Sequence, residues 1–143
     1  MSTYVFANGG KSEQRSDLHA WREVLVTTDA TIQDAVSGDL ILVANDEGWR
    51  PCIALTDYDA VLEQITVDLG GVWDLSVTAI DDKGNHAIVW GDVIYYDDTA
   101  SRLDLVRSDT GQGVGIALEA ITSGDTDTIA VALMQWPPEK TLA

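Results

Sequence analysis

Aspartate pairs are the residues of this sequence whose type and spacing could do chemistry. Two carboxylates set across a cleft, one with a raised pKa, can hydrolyse a glycosidic bond. All the pairs here fall in segments typical of turns, where aspartate is favoured because its side chain bonds to the nearby backbone. They therefore predict turns, and an acidic-site hydrolase is the least favoured function. The pairs are Asp57/Asp59, Asp81/Asp82, Asp97/Asp98 and Asp125/Asp127.

Other catalytic and ligand-binding patterns are weaker still. The glycine-rich stretch 111–115 precedes a predicted strand rather than opening a helix, so it does not match a phosphate-binding loop. Two histidines and a single cysteine give no zinc-binding spacing. Nothing in the sequence places His19 or His86 beside Cys52, which is predicted to be a small buried thiol. The sequence predicts no enzyme, no cofactor and no metal site, although opportunistic cation binding by the acidic turns stays open.

The charge balance limits the partners. The 143 residues hold 24 acids against 8 bases, a net charge of −16. Nucleic acids and anionic membranes attract basic surfaces, so neither is expected to be a partner, and a DNA mimic is a minor alternative. No apolar run approaches the roughly 20 residues needed to cross a bilayer, and the N-terminus does not match a signal peptide. Long-range attraction would have to come from basic partner surfaces.

The elements that must position these residues are short strands. Ile65–Leu69 and Ile129–Leu133 alternate apolar and smaller or polar side chains, which is typical of strands with one buried face. Residues 29–36 are predicted to be either a helical turn or a loop with a strand fragment, and residues 12–21 a short helix capped by Ser12. Residues 97–112 are predicted to hold a hairpin around 102–106.

An internal repeat organises the chain, with about ten extra residues in the second copy, which are predicted to lie in a surface loop. It predicts one all-β domain over residues 23–143, a small β-barrel or β-sandwich built from two similar β-units (about 37–77 and 90–136). The first copy contains Gly38-Asp39-Leu40-Ile41, Ile53-Ala54-Leu55, Ile65-Thr66-Val67-Asp68-Leu69 and Trp73. The second contains Gly91-Asp92-Val93-Ile94, Ile116-Ala117-Leu118, Ile129-Ala130-Val131-Ala132-Leu133 and Trp136.

Residues 1–22 differ from the acidic body and form a separate N-terminal segment. They hold three basic residues against two acids. Their composition is equally compatible with a frayed terminus and with an extended arm that orders on a partner. Among the five tryptophans, Trp73 and Trp136 are predicted to be core residues, and Trp21 and Trp49 interface residues. The predicted partner-binding residues are Tyr4, Val5, Phe6, Lys11, Arg15, Trp21, Arg22 and Trp49.

Four stretches carry a resemblance to a known family. Gly38–Ile41, Gly91–Asp98, Val114–Ala120 and Gly124–Leu133 are similar to the small capsid decoration, or cement, proteins of tailed bacteriophages, over about residues 23–135. The resemblance implies a compact β-fold without catalytic residues. It implies homotrimers on the outer surface of the virion head, bound to the major capsid protein and clamping coat subunits together. The longer segment 1–22 would then be this protein's own anchoring arm.

A second function class stays open beside the first. A carbohydrate-binding or adhesion β-module would use exposed aromatic side chains, for which Tyr58, Tyr95 and Trp49 are the candidates. The two classes differ in partner, because one predicts binding to phage heads and the other predicts binding to glycans.

Overall fold

The chain forms an all-β fold, as the sequence predicts. The computed structural model describes residues 3–6, 14–16, 22–45, 48–107 and 113–134, with the backbone alone at 14–16, 45, 48 and 49. The strands are β1 (Tyr4–Phe6), β2 (Gln14–Ser16), β3 (Arg22–Val26), β4 (Leu40–Asn45), β5 (Gly48–Ala54), β6 (Gln64–Asp68), β7 (Val72–Thr78), β8 (Ile80–Asp81), β9 (Gly84–Asn85), β10 (Val93–Asp97), β11 (Arg102–Asp104), β12 (Gly113–Ala117) and β13 (Thr126–Leu133).

One helical element is described, a 3-10 helix at Ile32–Asp34. It resolves the open prediction for residues 29–36 as a helical turn, and its Ile32 is buried. The predicted helix over residues 12–21 is wrong, because Gln14–Ser16 is a strand paired with β7. In the described part of the chain, no helix has the length and hydropathy needed to span a membrane.

The strands assemble into two main sheets. The first has the order β1-β4-β5-β6-β3 and the second has the order β11-β10-β12-β13-β7-β2. A parallel bridge between Leu103 and Val77 also joins β11 to β7. The first and the last strand of the series β11-β10-β12-β13-β7 are therefore paired with each other. The strands β8 and β9 form a separate small hairpin.

The two sheets repeat one arrangement. We call β3, β4, β5 and β6 unit 1, and β7, β10, β12 and β13 unit 2. The antiparallel neighbours of the two units share one register, except for a register shift between Ile94 and Tyr95 in the β10–β12 pair. Outside this shift, the paired residues of unit 1 have structural counterparts in unit 2. Equivalent pairs are Leu40–Ile53 and Val93–Ile116, Ala54–Val67 and Ala117–Val131, and Leu25–Ile65 and Leu75–Ile129.

The Gly-Asp turns open the second strand of each unit. Gly38 and Gly91 have φ of 94° and 96°, which only glycine adopts without strain. The next residue, Asp39 or Asp92, closes the turn because its Oδ2 accepts the N–H of the valine three residues earlier, at 3.1 and 3.0 Å. The glycine N–H groups donate to the carbonyls of Ala54 and Ala117. Both aspartates are therefore framework residues.

The inserted segment of the second copy is a strand of the sheet. As predicted, it contains a hairpin, formed by β10 and β11. The prediction of a surface loop is wrong, because Leu103 and Asp104 are fully buried. In the second sheet β11 takes the place beside β10 that β1 takes beside β4 in the first. The insertion therefore adds to the second sheet the strand that the N-terminus adds to the first.

Apolar side chains form two cores. The larger core joins both sheets, with Leu40, Leu42 and Ile53 from unit 1 packed among residues of unit 2 that include the predicted core residue Trp73. Strand β7 shows how the sequence dictates this, because Trp73, Leu75 and Val77 alternate with half-buried polar residues. The smaller core belongs to unit 1 and consists of Ile32, Ala35, Ile41, Cys52, Ala54, Ile65 and Val67.

Candidate partner-binding surfaces

The N-terminal strand β1 joins the domain. Tyr4–Phe6 pairs antiparallel with β4 at the edge of the first sheet. Tyr4 and Phe6 pack against the larger core and Val5 packs against the smaller one, so all three side chains are half-buried. The Tyr4 ring lies 5.1 Å from the Tyr96 ring, centroid to centroid. A role of Tyr4, Val5 and Phe6 in binding a partner stays a prediction.

The other predicted partner-binding residues lie on different elements. Arg22 is exposed at the start of β3, and the backbone of Arg15 lies in β2, on the second sheet. The backbone of Trp49 pairs with Ala44 in the β4–β5 hairpin. Lys11 and Trp21 lie outside the described residues. The described part of this set is thus distributed over β1, β2, β3 and β5.

Two buried aspartates lie in the β10–β11 hairpin. Asp97 and Asp104 expose 5% and 0% of their surfaces. Oδ2 of Asp104 accepts the Nε–H of Arg102 at 2.9 Å, and its Oδ1 accepts the N–H of Val106 at 2.8 Å. Burial raises the pKa of Asp104 to about 6, and the neighbouring Asp97 carboxylate acts in the same direction. Because this pair is enclosed, it braces the hairpin and does not form a catalytic cleft.

A groove of about 430 Å³ lies on unit 2, and Tyr95 lines it. Its walls carry both signs of charge, with Asp81, Asp82 and Asp92 against Lys83 and Arg107. Within the described ranges, no group of three or more His, Cys, Asp or Glu residues could hold a metal ion.

The aromatic residues of the glycan-binding alternative are not gathered by the fold. Tyr58 belongs to unit 1, where it packs against the smaller core and its hydroxyl donates to the carbonyl of Thr27 at 2.7 Å. Tyr95 lies on β10 of unit 2. For Trp49 only the backbone is described. Tyr58 and Tyr95 therefore do not form a shared aromatic platform.

Exposed apolar side chains are the surface feature that sequence reasoning missed. Trp90 exposes 72% of its surface beside Val89, and further apolar residues are exposed on β3 and in the β5–β6 connection. Comparing the copies could have found Trp90, because Ser37 precedes the glycine at the equivalent place in unit 1. The seven large apolar residues that are exposed in the described segments are Val24, Val26, Val36, Val61, Leu62, Val89 and Trp90.

These features define a class of protein before any comparison. Two packed β-units, buried turn and hairpin aspartates, and apolar side chains on an acidic surface are typical of a structural or interaction protein. The chain belongs to the phage cement protein family, whose model matches residues 20–133 and thus spans both units. This confirms the resemblance found in the sequence and supports a capsid decoration role with association to the phage virion. Comparison with curated proteins and with solved structures found no match.

Proposed function

We propose that this protein binds the outer surface of a phage head as a homotrimer and stabilises contacts between neighbouring subunits of the major capsid protein. The family match over residues 20–133 is the observation that carries the proposal. It covers both units, so the whole two-unit body, and not one short motif, is the family's shared part.

The physical properties of the chain support this role. A net charge of −16 keeps a heavily decorated particle dispersed, because like-charged surfaces repel each other. A ring of identical head-to-tail contacts suits a three-fold position on a head. Binding to many such positions lets modest contacts add up through avidity, so no deep pocket is needed. The apolar side chains exposed on β3 and in the β5–β6 connection supply contact area that such interfaces require.

Undecorated heads mixed with the purified protein test the proposal. Heads pelleted through a cushion are expected to carry the protein to a saturating, symmetric occupancy. Decorated heads are expected to release DNA at a higher temperature than bare heads, since coat contacts are clamped. Sedimentation and light scattering would report the mass of the free and head-bound protein. A monomer that leaves the heads undecorated would contradict the proposal.

A further inference from the structure

Four exposed apolar side chains lie at one end of unit 1. Val26 on β3 exposes 71% of its surface, and Val61 in the β5–β6 connection exposes 90%. Val26 pairs with Gln64, and the N–H of Thr27 donates to the carbonyl of Glu63 at 2.9 Å, which brings the connection beside β3. Together with Val24 and Leu62, these residues form what we call the β3 face.

Unit 2 shows that the fold does not require apolar residues at the positions of the β3 face. Val24 pairs with Thr66 as Asp74 pairs with Ala130, so Asp74 is the counterpart of Val24. By the same registers Ser76 is the counterpart of Val26. The last four residues of the connection before β13, residues 122–125, are likewise polar residues and glycine, and Ile121 just before them is buried. Because both units share one backbone arrangement, the apolar character of the β3 face is specific to unit 1 and indicates an interface.

The outer edge of β3 also differs from the outer edge of its counterpart, β7, in how many strands pair with it. In unit 2, β7 pairs with β13 on one side and additionally with β2 and β11. Among the residues described, β3 pairs only with β6. An edge strand with exposed apolar side chains is a template for strand addition by another chain.

The charges around the β3 face indicate which partner chain would bind along β3. Two exposed acids of the β5–β6 connection, Asp59 and Glu63, lie beside the valines and form an acidic border. On β3 itself, Arg22 shares the face of Val24 and Val26, and Glu23 lies on the opposite face. A second copy of this protein would bring a net charge of −16 toward that acidic border. A coat segment that carries basic side chains would be attracted instead.

We propose that the β3 face is a docking site for an extended segment of the coat protein, added as a strand along β3. The segment's apolar side chains cover Val24, Val26 and the Val61–Leu62 turn, and its lysine or arginine side chains meet the acidic border. This inference rests on the proposed function and specifies the surface through which the protein holds the head.

A matched pair of double variants tests the site. Val24→Thr with Val26→Thr keeps β-branched side chains, and thus strand propensity, while it removes apolar contact. Val36→Thr with Val89→Thr makes the same change at the two Gly-Asp turns, where both valines are also exposed. The first variant is expected to bind heads at least about tenfold more weakly than wild type, and the second to bind as wild type does. Thermal unfolding of both variants checks that the fold is kept.

The outcomes separate this inference from the proposed function. Wild-type protein that does not bind heads would overturn both. Two results would overturn only the β3 docking site. In the first, the wild type binds heads and the Val24→Thr, Val26→Thr variant binds equally well. In the second, the two double variants lose the same amount of affinity. A first variant that loses self-association in sedimentation, but retains its affinity for heads, would assign the face to a second copy and overturn the coat segment as occupant.

Discussion

The hydroxyl of Tyr4 donates a hydrogen bond to Oδ2 of Asp98 at 2.7 Å, across 94 residues of sequence. Tyr4 belongs to β1 in the first sheet, whereas Asp98 follows β10 in the second. The same ring contacts Tyr96. The N-terminal strand therefore fastens the two units to each other in addition to completing the edge of one of them.

Tyr4→Phe tests this connection because it removes the hydroxyl and keeps the ring. A hydrogen bond to a charged, half-buried partner predicts a loss of about 1–2 kcal/mol in the free energy of unfolding. Denaturant unfolding of Tyr4→Phe, Asp98→Ala and the double variant gives the coupling energy between the two side chains. Strictly additive losses in this cycle would show that the contact contributes nothing to stability.

Much of the local framework can be predicted from the sequence, and the long-range contacts cannot. The Gly-Asp turns can be predicted because the aspartate side chain bonds to a backbone N–H only three residues away. The burial of Trp73 can be predicted from the alternation of apolar and polar residues along its strand. The Tyr4–Asp98 contact depends on how two distant strands are placed, so no sequence spacing reveals it. The burial of Leu103 was missed for the same reason, since its partner Val77 lies on a strand far upstream.

The same limit applied to the candidate binding surface. Val24-Leu25-Val26 reads as a strand in the sequence, but alternation does not say which face is covered. Only the registers of β3 and β7 show that two exposed valines stand where unit 2 has Asp74 and Ser76.

Asp104 gives the stability of the protein a specific pH dependence. Its folded pKa of about 6 lies above the ordinary value, so the folded state binds this proton more tightly than the unfolded state. The stabilisation is fully present below about pH 4 and is lost as the pH rises through 6. The stabilisation by Asp104 is expected to be about 1 kcal/mol larger at pH 5 than at pH 7.5.

Asp104→Asn is the control for this titration, because it keeps the shape of the side chain and cannot ionise. Unfolding free energies of both proteins at several pH values isolate the contribution of Asp104, since the other acids titrate in both. The difference, wild type minus variant, is expected to fall as the pH rises from 5 to 7.5. A constant difference over that range would contradict the raised pKa.

Two glycines are predicted to resist substitution for different reasons. A Cβ at Gly91 meets nothing within 4 Å, so Gly91→Ala suffers only from its φ of 96° and is expected to lose about 1–2 kcal/mol of stability. A Cβ at Gly115 would collide with the carbonyl of Ala132 across the β12–β13 pair. Gly115→Ala is therefore expected to lose more than Gly91→Ala in thermal unfolding, and the reverse order would contradict this assignment.

Cys52 is predicted to be chemically silent in the native protein. It is fully buried, and burial together with the negative charge of Asp68 raises its pKa to about 12. The thiolate is the reactive form, so a thiol reagent at pH 8 is expected to label Cys52 only after unfolding. Labelling in native buffer and in denaturant can be compared by mass. Rapid labelling of the folded protein would show that the smaller core opens.

The N-terminal segment can be separated into a structural part and a proposed anchoring part. Deletion of residues 1–22 removes β1 and β2, so it is expected to lower the unfolding free energy as well as binding to heads. Lys11→Ala with Arg15→Ala leaves the Tyr4 contacts in place. This double variant is expected to weaken binding to heads while unfolding stays within about 0.5 kcal/mol of wild type. Unchanged occupancy of the double variant on heads would remove the anchoring role and leave residues 1–22 with a structural role alone.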